Sequence, residues 1–282
     1  MILSHDAAGS GPALVLLHSG VCDRRMWDPQ WEAFQAAGYR VVRADLRGFG
    51  ETPAEAGDYD PIADVWELLD SLGIERAAFV GASYGGKLSL AVAARHPERV
   101  TALALLASGL PGRAPSEEIR AWGAREDALL EADDLEGAVA LNVDTWLGPE
   151  ASAETRAAVA EMQRHAFTVQ LAAEAAAVAA AEAAGPEAAE AEPEAEPEPA
   201  AAEEAPQPAP EFDLSGITAP ALSVGGAHDF AHHRELAAEL AVLLPHARHR
   251  ELDWAGHLPS LERPEEITAL LLDFLTEAGV RA

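Results

Sequence analysis

The chain has 282 residues, 49% of them hydrophobic, with a formal net charge of -29 and a single cysteine, Cys22. Its length allows a large core in one domain or in one domain with an insertion, and its negative charge argues against nucleic acid and anionic membranes as partners. One cysteine excludes an intramolecular disulfide and a cysteine-based metal site, and no segment has the pattern of a membrane span or a signal peptide, so we expect a cytoplasmic protein.

Strands and helices alternate along the first part of the chain. Ala13–Leu17 is a continuous apolar run, which is typical of a strand buried on both faces of a parallel sheet. The elements predicted after it are a helix over 28–37, a strand over Tyr39–Ala44, a helix from Pro61 to Gly73, a strand over Ala77–Val80, a helix over Lys87–Arg95 and a strand over Val100–Ala107. This alternation predicts an α/β fold with a doubly wound, mostly parallel sheet.

Residues 113–171 interrupt this pattern, because they show helical spacing only. The predicted helices cover Ser116–Leu130, Leu135–Trp146 and Ala153 to about Leu171. A helical block within an α/β pattern predicts an inserted lid, with residues 1–112 and 212–282 as the core. The remaining predicted elements are a strand over Ala219–Gly225, a helix over 233–243, a strand near His249–Leu252 and a helix from Pro264 to Leu275.

Residues 172–211 differ in composition from everything around them. They are built almost wholly from Ala, Glu and Pro, and they include eleven glutamates but no Lys or Arg. Ala and Glu favour helix, so about the first dozen residues can extend the preceding helix. Repeated prolines and like charges then predict a disordered acidic tether from about residue 186, with an acidic segment that binds a partner as the alternative.

The pentapeptide Gly81-Ala82-Ser83-Tyr84-Gly85 fits the pattern G-x-S-x-G. It lies between a predicted strand and a predicted helix, which is the context of a nucleophile elbow. In such an elbow the serine occupies a strained turn, and small flanking residues let the strand and the helix approach closely. The pattern therefore predicts Ser83 as a catalytic nucleophile.

A serine hydroxyl needs a nearby base, usually a histidine that a carboxylate orients. His257 follows the predicted strand near Leu252, and Asp229 follows the strand that ends near Gly225. Both positions lie at the carboxyl ends of strands, where open α/β sheets build their sites. The order Ser83, Asp229, His257 is that of the catalytic triad of α/β hydrolases.

With these residues the chain resembles the α/β-hydrolase superfamily over roughly 12–112 and 212–278. Matching segments are His18-Ser19-Gly20, Asp45-Leu46-Arg47-Gly48-Phe49-Gly50, and Gly256-His257 followed by Pro264-Glu265-Glu266. The pattern is similar to the small, single-lid branch of esterases, lactonases and carbon–carbon hydrolases. The resemblance implies an oxyanion hole built from the backbone N–H groups of Tyr84 and Gly20, with Val21 as the alternative to Gly20.

The resemblance also separates two kinds of chemistry. Family members that open epoxides or remove halide carry aspartate at the nucleophile position, so Ser83 implies an acyl-enzyme. We therefore expect a serine hydrolase that acts on a small-to-medium, largely uncharged ester or lactone. The alternatives are a carbon–carbon bond hydrolase, a cofactor-free perhydrolase, and a receptor-like binding protein on the same fold with slow turnover.

Aromatic and aliphatic side chains near these motifs are candidates for an acyl pocket under the lid. They are Val21, Trp27, Trp122, Trp146, Phe167 and Leu258. We predict no cofactor and no metal, since the spacing of His228, His232 and His233 matches no zinc pattern and a metal on Asp229 would disable the triad. The predicted partner is a small-molecule acyl substrate, and the oligomeric state is not readable from the sequence.

Overall fold

A seven-stranded sheet forms the centre of the molecule. We analysed a computed structural model, which describes residues 1–54, 59–184 and 213–281. The strand order is β1-β3-β2-β4-β5-β6-β7, with β1 antiparallel to β3 and the other neighbours parallel. The strands are β1 (His5–Ala8), β2 (Ala13–Leu17), β3 (Arg40–Ala44), β4 (Ala77–Ala82), β5 (Val100–Leu106), β6 (Ala221–Gly226) and β7 (Ala247–Leu252).

The central strands are buried on both faces, as their apolar runs predict. In β2, Leu14 and Leu16 belong to one hydrophobic cluster, whereas Val15 and Leu17 belong to the cluster on the opposite face. Side chains alternate between the faces of a strand, so helices must cover both sides of this sheet. The structure confirms the predicted doubly wound α/β architecture with an inserted helical lid.

Helices account for most of the remaining structure. Those outside the insertion are α1 (Asp28–Ala36), α2 (Pro61–Ser71), α3 (Tyr84–Arg95), α7 (Ala231–Leu243), α8 (Pro259–Glu262) and α9 (Pro264–Glu277). The helix α2 shows how local sequence sets a boundary. The side chain of Asp60 accepts a hydrogen bond from Ile62 N–H, and Pro61 occupies the first helical position, where its missing N–H is not needed.

Among the residues that the structure describes, three α-helices lie between β5 and β6. They are α4 (Glu117–Glu131), α5 (Leu135–Trp146) and α6 (Ala153–Ala184). The helix α6 passes Leu171 without a break, so the first residues of the predicted tether belong to it. The segment predicted to be disordered from about residue 186 lies outside the described residues up to residue 212.

Polar contacts attach α6 to the core. Arg25 pairs with Glu161 at 2.6 Å, His165 Nε2 lies 2.9 Å from the Gly50 carbonyl oxygen, and Gln170 Nε2 donates to the Gly48 carbonyl oxygen at 3.2 Å. Two of these contacts reach the loop that follows β3, so α6 is held against the carboxyl edge of the sheet. Within the described part of the chain, every helix is too short or too polar to cross a membrane.

Candidate active site

Ser83 occupies the turn between β4 and α3 in a strained conformation. Its φ is 50° and its ψ is -110°, which is unusual for a residue with a Cβ. Its backbone N–H donates to the Leu106 carbonyl at 2.8 Å, and its carbonyl accepts from Lys87 N–H at 2.9 Å. The neighbouring strand and the helix therefore hold Ser83 in a geometry that it would not adopt alone.

Glycine is required on both sides of Ser83 because the backbones come very close. A Cβ on Gly81 would lie 2.4 Å from the Gly85 carbonyl oxygen. A Cβ on Gly85 would lie 2.2 Å from the Leu17 carbonyl oxygen in β2. Real Cβ atoms do not approach backbone oxygens so closely, so the elbow can form only with these glycines.

His257 and Asp229 form a buried, hydrogen-bonded pair. The distance from His257 Nδ1 to Asp229 Oδ2 is 2.5 Å, and both side chains are at most 3% exposed. Asp229 follows β6 and His257 follows β7, so neighbouring parallel strands bring the two residues together. Because a carboxylate can only accept, Nδ1 carries the proton and leaves Nε2 as an acceptor.

A buried glutamate and one of the inserted helices fix the loop that carries His257. His257 N–H donates to the Trp146 carbonyl at the end of α5 at 2.9 Å. Glu262 accepts from Gly256 N–H at 3.0 Å and from Leu258 N–H at 3.3 Å, on either side of the histidine. Burial raises the pKa of Glu262, while its backbone hydrogen bonds act in the opposite direction. The sequence analysis did not identify Glu262 as part of the site.

Ser83 and His257 both line one cavity of about 270 Å³ at the carboxyl edge of the sheet. Among the described residues, no hydrogen bond joins the Ser83 hydroxyl to the imidazole. Such bonds are often long or absent before substrate binds. The arrangement places a strained serine and an oriented histidine in contact with the same enclosed space.

The residues whose backbone N–H groups are predicted for the oxyanion hole also line this cavity. Tyr84 is the first residue of α3, so its N–H has no partner within the helix and lies at the positive end of the helix dipole. In the loop after β2, Cys22 N–H donates to the Ser19 carbonyl at 3.0 Å. The N–H groups of Gly20 and Val21 have no protein partner among the described residues, so both remain candidates.

His18 joins the loop after β2 to the loop after β3. Its Nδ1 lies 2.8 Å from the Ser19 carbonyl oxygen, and its Nε2 accepts from Leu46 N–H at 2.9 Å. Complete burial lowers the pKa of His18, which keeps the ring neutral and both nitrogens engaged. This environment fits a structural role for His18 rather than a catalytic one.

The cavity walls agree with only part of the predicted pocket. Val21, Trp122, Trp146 and Phe167 line the cavity together with Gly20. Trp27 and Leu258, which were also predicted to line the pocket, are fully buried in the hydrophobic core and are not among the lining residues of this cavity. Lining residues that the sequence analysis missed include Phe49, Glu126, Asn142, Gln163 and Gln170.

A family model described as the α/β hydrolase fold matches residues 12–264, which is most of the chain. The chain belongs to the α/β hydrolase family. The match includes Ser83, Asp229 and His257, and it confirms the resemblance drawn from their order and context.

Proteins similar to this α/β hydrolase include hydrolases of more than one kind. The chain is 36% identical over 122 residues to bifunctional epoxide hydrolase 2 of Sus scrofa, a match that covers 40% of the chain and 22% of that protein. It is 40% identical over 114 residues to 2-hydroxymuconate semialdehyde hydrolase of Pseudomonas sp. (strain CF600), covering 37% of the chain and 38% of that protein. The chain thus spans well under half the length of each of these relatives.

A solved structure resembles the chain over nearly its full length. The enol-lactonase from Burkholderia xenovorans LB400 superposes with a TM-score of 0.71 at 26% identity, covering 97% of this chain and 96% of that one. The similarity to this solved structure extends over the α/β hydrolase fold of nearly the whole chain.

His233 lies unexpectedly close to the histidine of the site. It belongs to the first turn of α7, and its ring centroid is 4.5 Å from that of His257. Its Nδ1 is buried and has no hydrogen-bond partner among the described residues. Burial, and then the neighbouring His257, lower the pKa of His233 to about 3, with Asp229 acting in the opposite direction. The ring is therefore neutral near pH 7.

Ligand atoms of Asp229, His233 and His257 lie within 4.8 Å of one another, so this group could hold a metal ion. The carboxylate oxygen of Asp229 and Nδ1 of His257 already bond to each other at 2.5 Å. A metal bound through those atoms would displace the proton between them and end the orientation of the imidazole. Metal binding by Asp229, His233 and His257 would therefore be incompatible with the predicted triad.

The lowered pKa of His233 should make the folded protein less stable in acid. Between about pH 6.5 and 3 the unfolded imidazole binds a proton and the buried one does not, so stability falls as the pH drops through this range. At pH 5 the loss amounts to about 2 kcal/mol. We expect His233→Phe to reduce the difference in unfolding free energy between pH 7 and pH 5 by about this amount, as measured by urea denaturation.

The exposed His246 supplies the control for this experiment, because His246→Gln also removes one imidazole from the chain. That variant should keep the acid dependence of the parent protein. An unchanged pH dependence in His233→Phe would contradict the environment described for His233.

Cys22 lies in the loop that also carries Gly20. Its side chain is fully buried in the core cluster beneath this loop. Burial raises the pKa of the thiol, and the nearby Asp23 acts in the same direction. A buried thiol of this kind is a weak nucleophile, so Cys22 is a packing residue.

Proposed function

We propose that this α/β hydrolase is a serine hydrolase that cleaves a small-to-medium, largely uncharged carboxylic ester or lactone through an acyl-enzyme on Ser83. The observation that carries the proposal is the pairing of a strained serine with an Asp229-oriented histidine around one cavity. Strained backbone conformations of this kind cluster at active sites.

In the proposed first half-reaction, Nε2 of His257 accepts the Ser83 proton while Oγ attacks the substrate carbonyl carbon. The N–H of Tyr84 and that of Gly20 or Val21 stabilise the negative charge that develops on the carbonyl oxygen. The imidazolium then protonates the departing alcohol oxygen as its bond to carbon breaks. The product of this half-reaction is an ester between the acyl group and Ser83.

The second half-reaction repeats these steps with water. Nε2 of His257 accepts a proton from water, whose oxygen attacks the acyl carbon, and the same N–H groups stabilise the second oxyanion. Collapse of this intermediate returns the proton to Ser83 and releases the acid. The neutral state of His233 matters here, because a positive charge 4.5 Å from the His257 ring would oppose the imidazolium.

The cavity and the comparisons support the substrate class. A volume of about 270 Å³ suits a small acyl compound, and a lactone is a cyclic ester of the kind named in the similar enol-lactonase. Serine at the elbow favours acyl chemistry over the epoxide opening named in one relative. Cytoplasmic residence stays a prediction from the sequence.

Labelling with a fluorophosphonate, followed by peptide mapping, tests the proposed function. The reagent phosphonylates serines that a base activates, so we expect one modified peptide, which contains Ser83. The labelled and unlabelled enzymes are then compared on p-nitrophenyl acetate and on a γ-lactone, and labelling should abolish turnover of both.

The other outcomes of this experiment would indicate one of the alternative functions or overturn the proposal. Labelling of Ser83 without turnover of any ester or lactone would indicate the receptor-like binding protein. Cleavage confined to a carbon–carbon substrate would indicate a carbon–carbon hydrolase, and formation of a peracid from hydrogen peroxide would indicate a perhydrolase. Failure of the unmodified protein to react with the probe would overturn the proposal.

A further inference from the structure

Glu262 is a buried carboxyl group that has no cationic partner in the described part of the chain. It is the last residue of the short helix α8 and is 9% exposed. The arginine next to it, Arg263, pairs instead with Glu150 and Glu266. Burial of a charge is costly unless an opposite charge or hydrogen bonds compensate for it, so hydrogen bonds must do so for Glu262.

Backbone N–H groups from two separate segments bind this carboxyl group. Gly256 N–H donates to both of its oxygens, at 3.1 and 3.0 Å, and Leu258 N–H donates to Oε1 at 3.3 Å. These two donors flank His257. The N–H of Gly148, in the loop after α5, is a third hydrogen-bond donor to the same group. One side chain therefore joins the loop of residues 256–258, the histidine loop, to the inserted helices.

The two segments also meet directly, backbone against backbone. His257 N–H donates to the Trp146 carbonyl at 2.9 Å. A Cβ on Gly256 would lie 2.4 Å from the Gly148 nitrogen, and a Cβ on Gly148 would lie 2.3 Å from Glu262 Oε2. Real Cβ atoms do not come so close, so glycine at both positions allows the two segments to meet at the carboxyl group.

The hydrogen bonds of Glu262 complement that of Asp229. Asp229 bonds to Nδ1 of the imidazole, which sets the tautomer of the ring but not the position of the backbone that carries it. Glu262 bonds to the backbone on either side of the histidine and so restricts movement of the loop as a whole. Because Glu262 is not among the residues that line the cavity, we expect it to act through this loop and not by contact with a substrate.

We propose that Glu262 is a positioning residue, which holds the backbone of His257 against the loop after α5 and so keeps the imidazole in place at the cavity that Ser83 also lines. The inference rests on the proposed serine hydrolase function. The base must come within hydrogen-bond reach of the nucleophile, and a misplacement of about 1 Å can lower a rate by about 10²-fold. The inserted helices thereby contribute to the geometry of the base as well as to the cavity walls.

Glu262→Gln tests this role with almost no change in shape. The amide retains one acceptor oxygen, but its NH₂ group would face backbone N–H donors, so at least one hydrogen bond is lost. We expect kcat for p-nitrophenyl acetate to fall by about 10- to 100-fold, with KM unchanged within about twofold, because the side chain does not line the cavity. Steady-state kinetics at a temperature well below Tm measures both values.

Gly148→Ala disturbs the same contact from the other side. Its Cβ would collide with Glu262 Oε2, while every group that takes part in the proposed proton transfers is kept. We expect the same pattern, a lower kcat with a similar KM. The double variant should be no more than about twofold slower than the slower single variant, because both changes break one shared contact.

Gln30→Met is the matched control. Gln30 Nε2 donates to the Ser260 carbonyl at 3.0 Å, so this variant also removes a buried polar contact to α8, but one outside the histidine loop. Its kcat should stay within about twofold of the parent value. Proton NMR provides a measurement that does not depend on turnover. The downfield resonance of the His257–Asp229 hydrogen bond should be present in the parent and in Gln30→Met, and it should broaden or disappear in Glu262→Gln.

The outcomes separate this inference from the proposed function. If the parent is active and Glu262→Gln keeps its kcat, or if Gln30→Met loses as much, Glu262 is a structural residue and the serine hydrolase stands. A raised KM with an unchanged kcat would also overturn the positioning role. If Glu262→Gln does not fold, Gly148→Ala is judged by the same criteria. If the parent hydrolyses neither p-nitrophenyl acetate nor a γ-lactone, the proposed function fails, and the NMR resonance still shows whether Glu262 holds His257.

Discussion

Replacing Ser83 with alanine is expected to lower kcat for ester hydrolysis by at least about 10⁴-fold. The nucleophilic oxygen would be lost, while the oxyanion donors and the cavity would remain and support only a small residual rate. We expect little change in KM for p-nitrophenyl acetate, because Ser83 contributes to the transition state more than to ground-state binding. Steady-state kinetics on purified protein measures both values.

The strained backbone at Ser83 allows a control measurement of thermal stability on this variant. Alanine has a Cβ like serine, so Ser83→Ala should retain both the strained φ of 50° and the Tm of the parent protein. Ser83→Gly should be equally inactive but should not unfold at a lower temperature, because glycine tolerates positive φ. More than a tenth of the parent activity in either variant would disprove the role of Ser83 as nucleophile.

Replacing Gly85 with alanine is expected to destabilise the fold strongly. The new Cβ would lie 2.2 Å from the Leu17 carbonyl oxygen and 2.6 Å from that of His18. Both are backbone atoms of a buried central strand and its following loop, so they cannot rotate away. We expect a loss of at least about 4 kcal/mol and a fall in Tm of about 10 °C or more, measured by calorimetry, or failure to fold.

Gly123 offers a matched control in α4. A Cβ there meets no atom within 4 Å, so Gly123→Ala should leave the protein as stable as before or raise its stability by about 0.5–1 kcal/mol through helix propensity. A Gly85→Ala protein that unfolds within about 3 °C of its parent would show that the elbow is less tightly packed than described.

Local sequence predicted where the candidate triad residues lie, because each of them follows a strand of the sheet. Ser83 and Asp229 each follow a buried strand, whereas His257 follows the more polar strand β7, and these parallel strands end at a common edge. The strand β1 was not predicted, because its four residues, His5–Ala8, are polar or small and only partly buried. Its pairing with β3 depends on long-range hydrogen bonds that no local pattern reveals.

The walls of the cavity were harder to predict than its reactive groups. Helical spacing located α4, α5 and α6, but it could not show how they dock on the sheet. For that reason Glu126 and Gln163 were overlooked, and Trp27 was placed in the pocket although it packs in the core. Their positions are set by tertiary contacts, not by their own segments.

The burial of Cys22 gives the enzyme a natural reporter of loop opening. It is the single thiol in the sequence, and it lies in the loop that carries Gly20 and Val21, with no exposed surface. A thiol reagent can reach it only when the surrounding structure opens. The rate of alkylation in the native protein therefore reports how often this part of the structure opens, and a ligand that slows the reaction can be detected as a binder without measuring turnover.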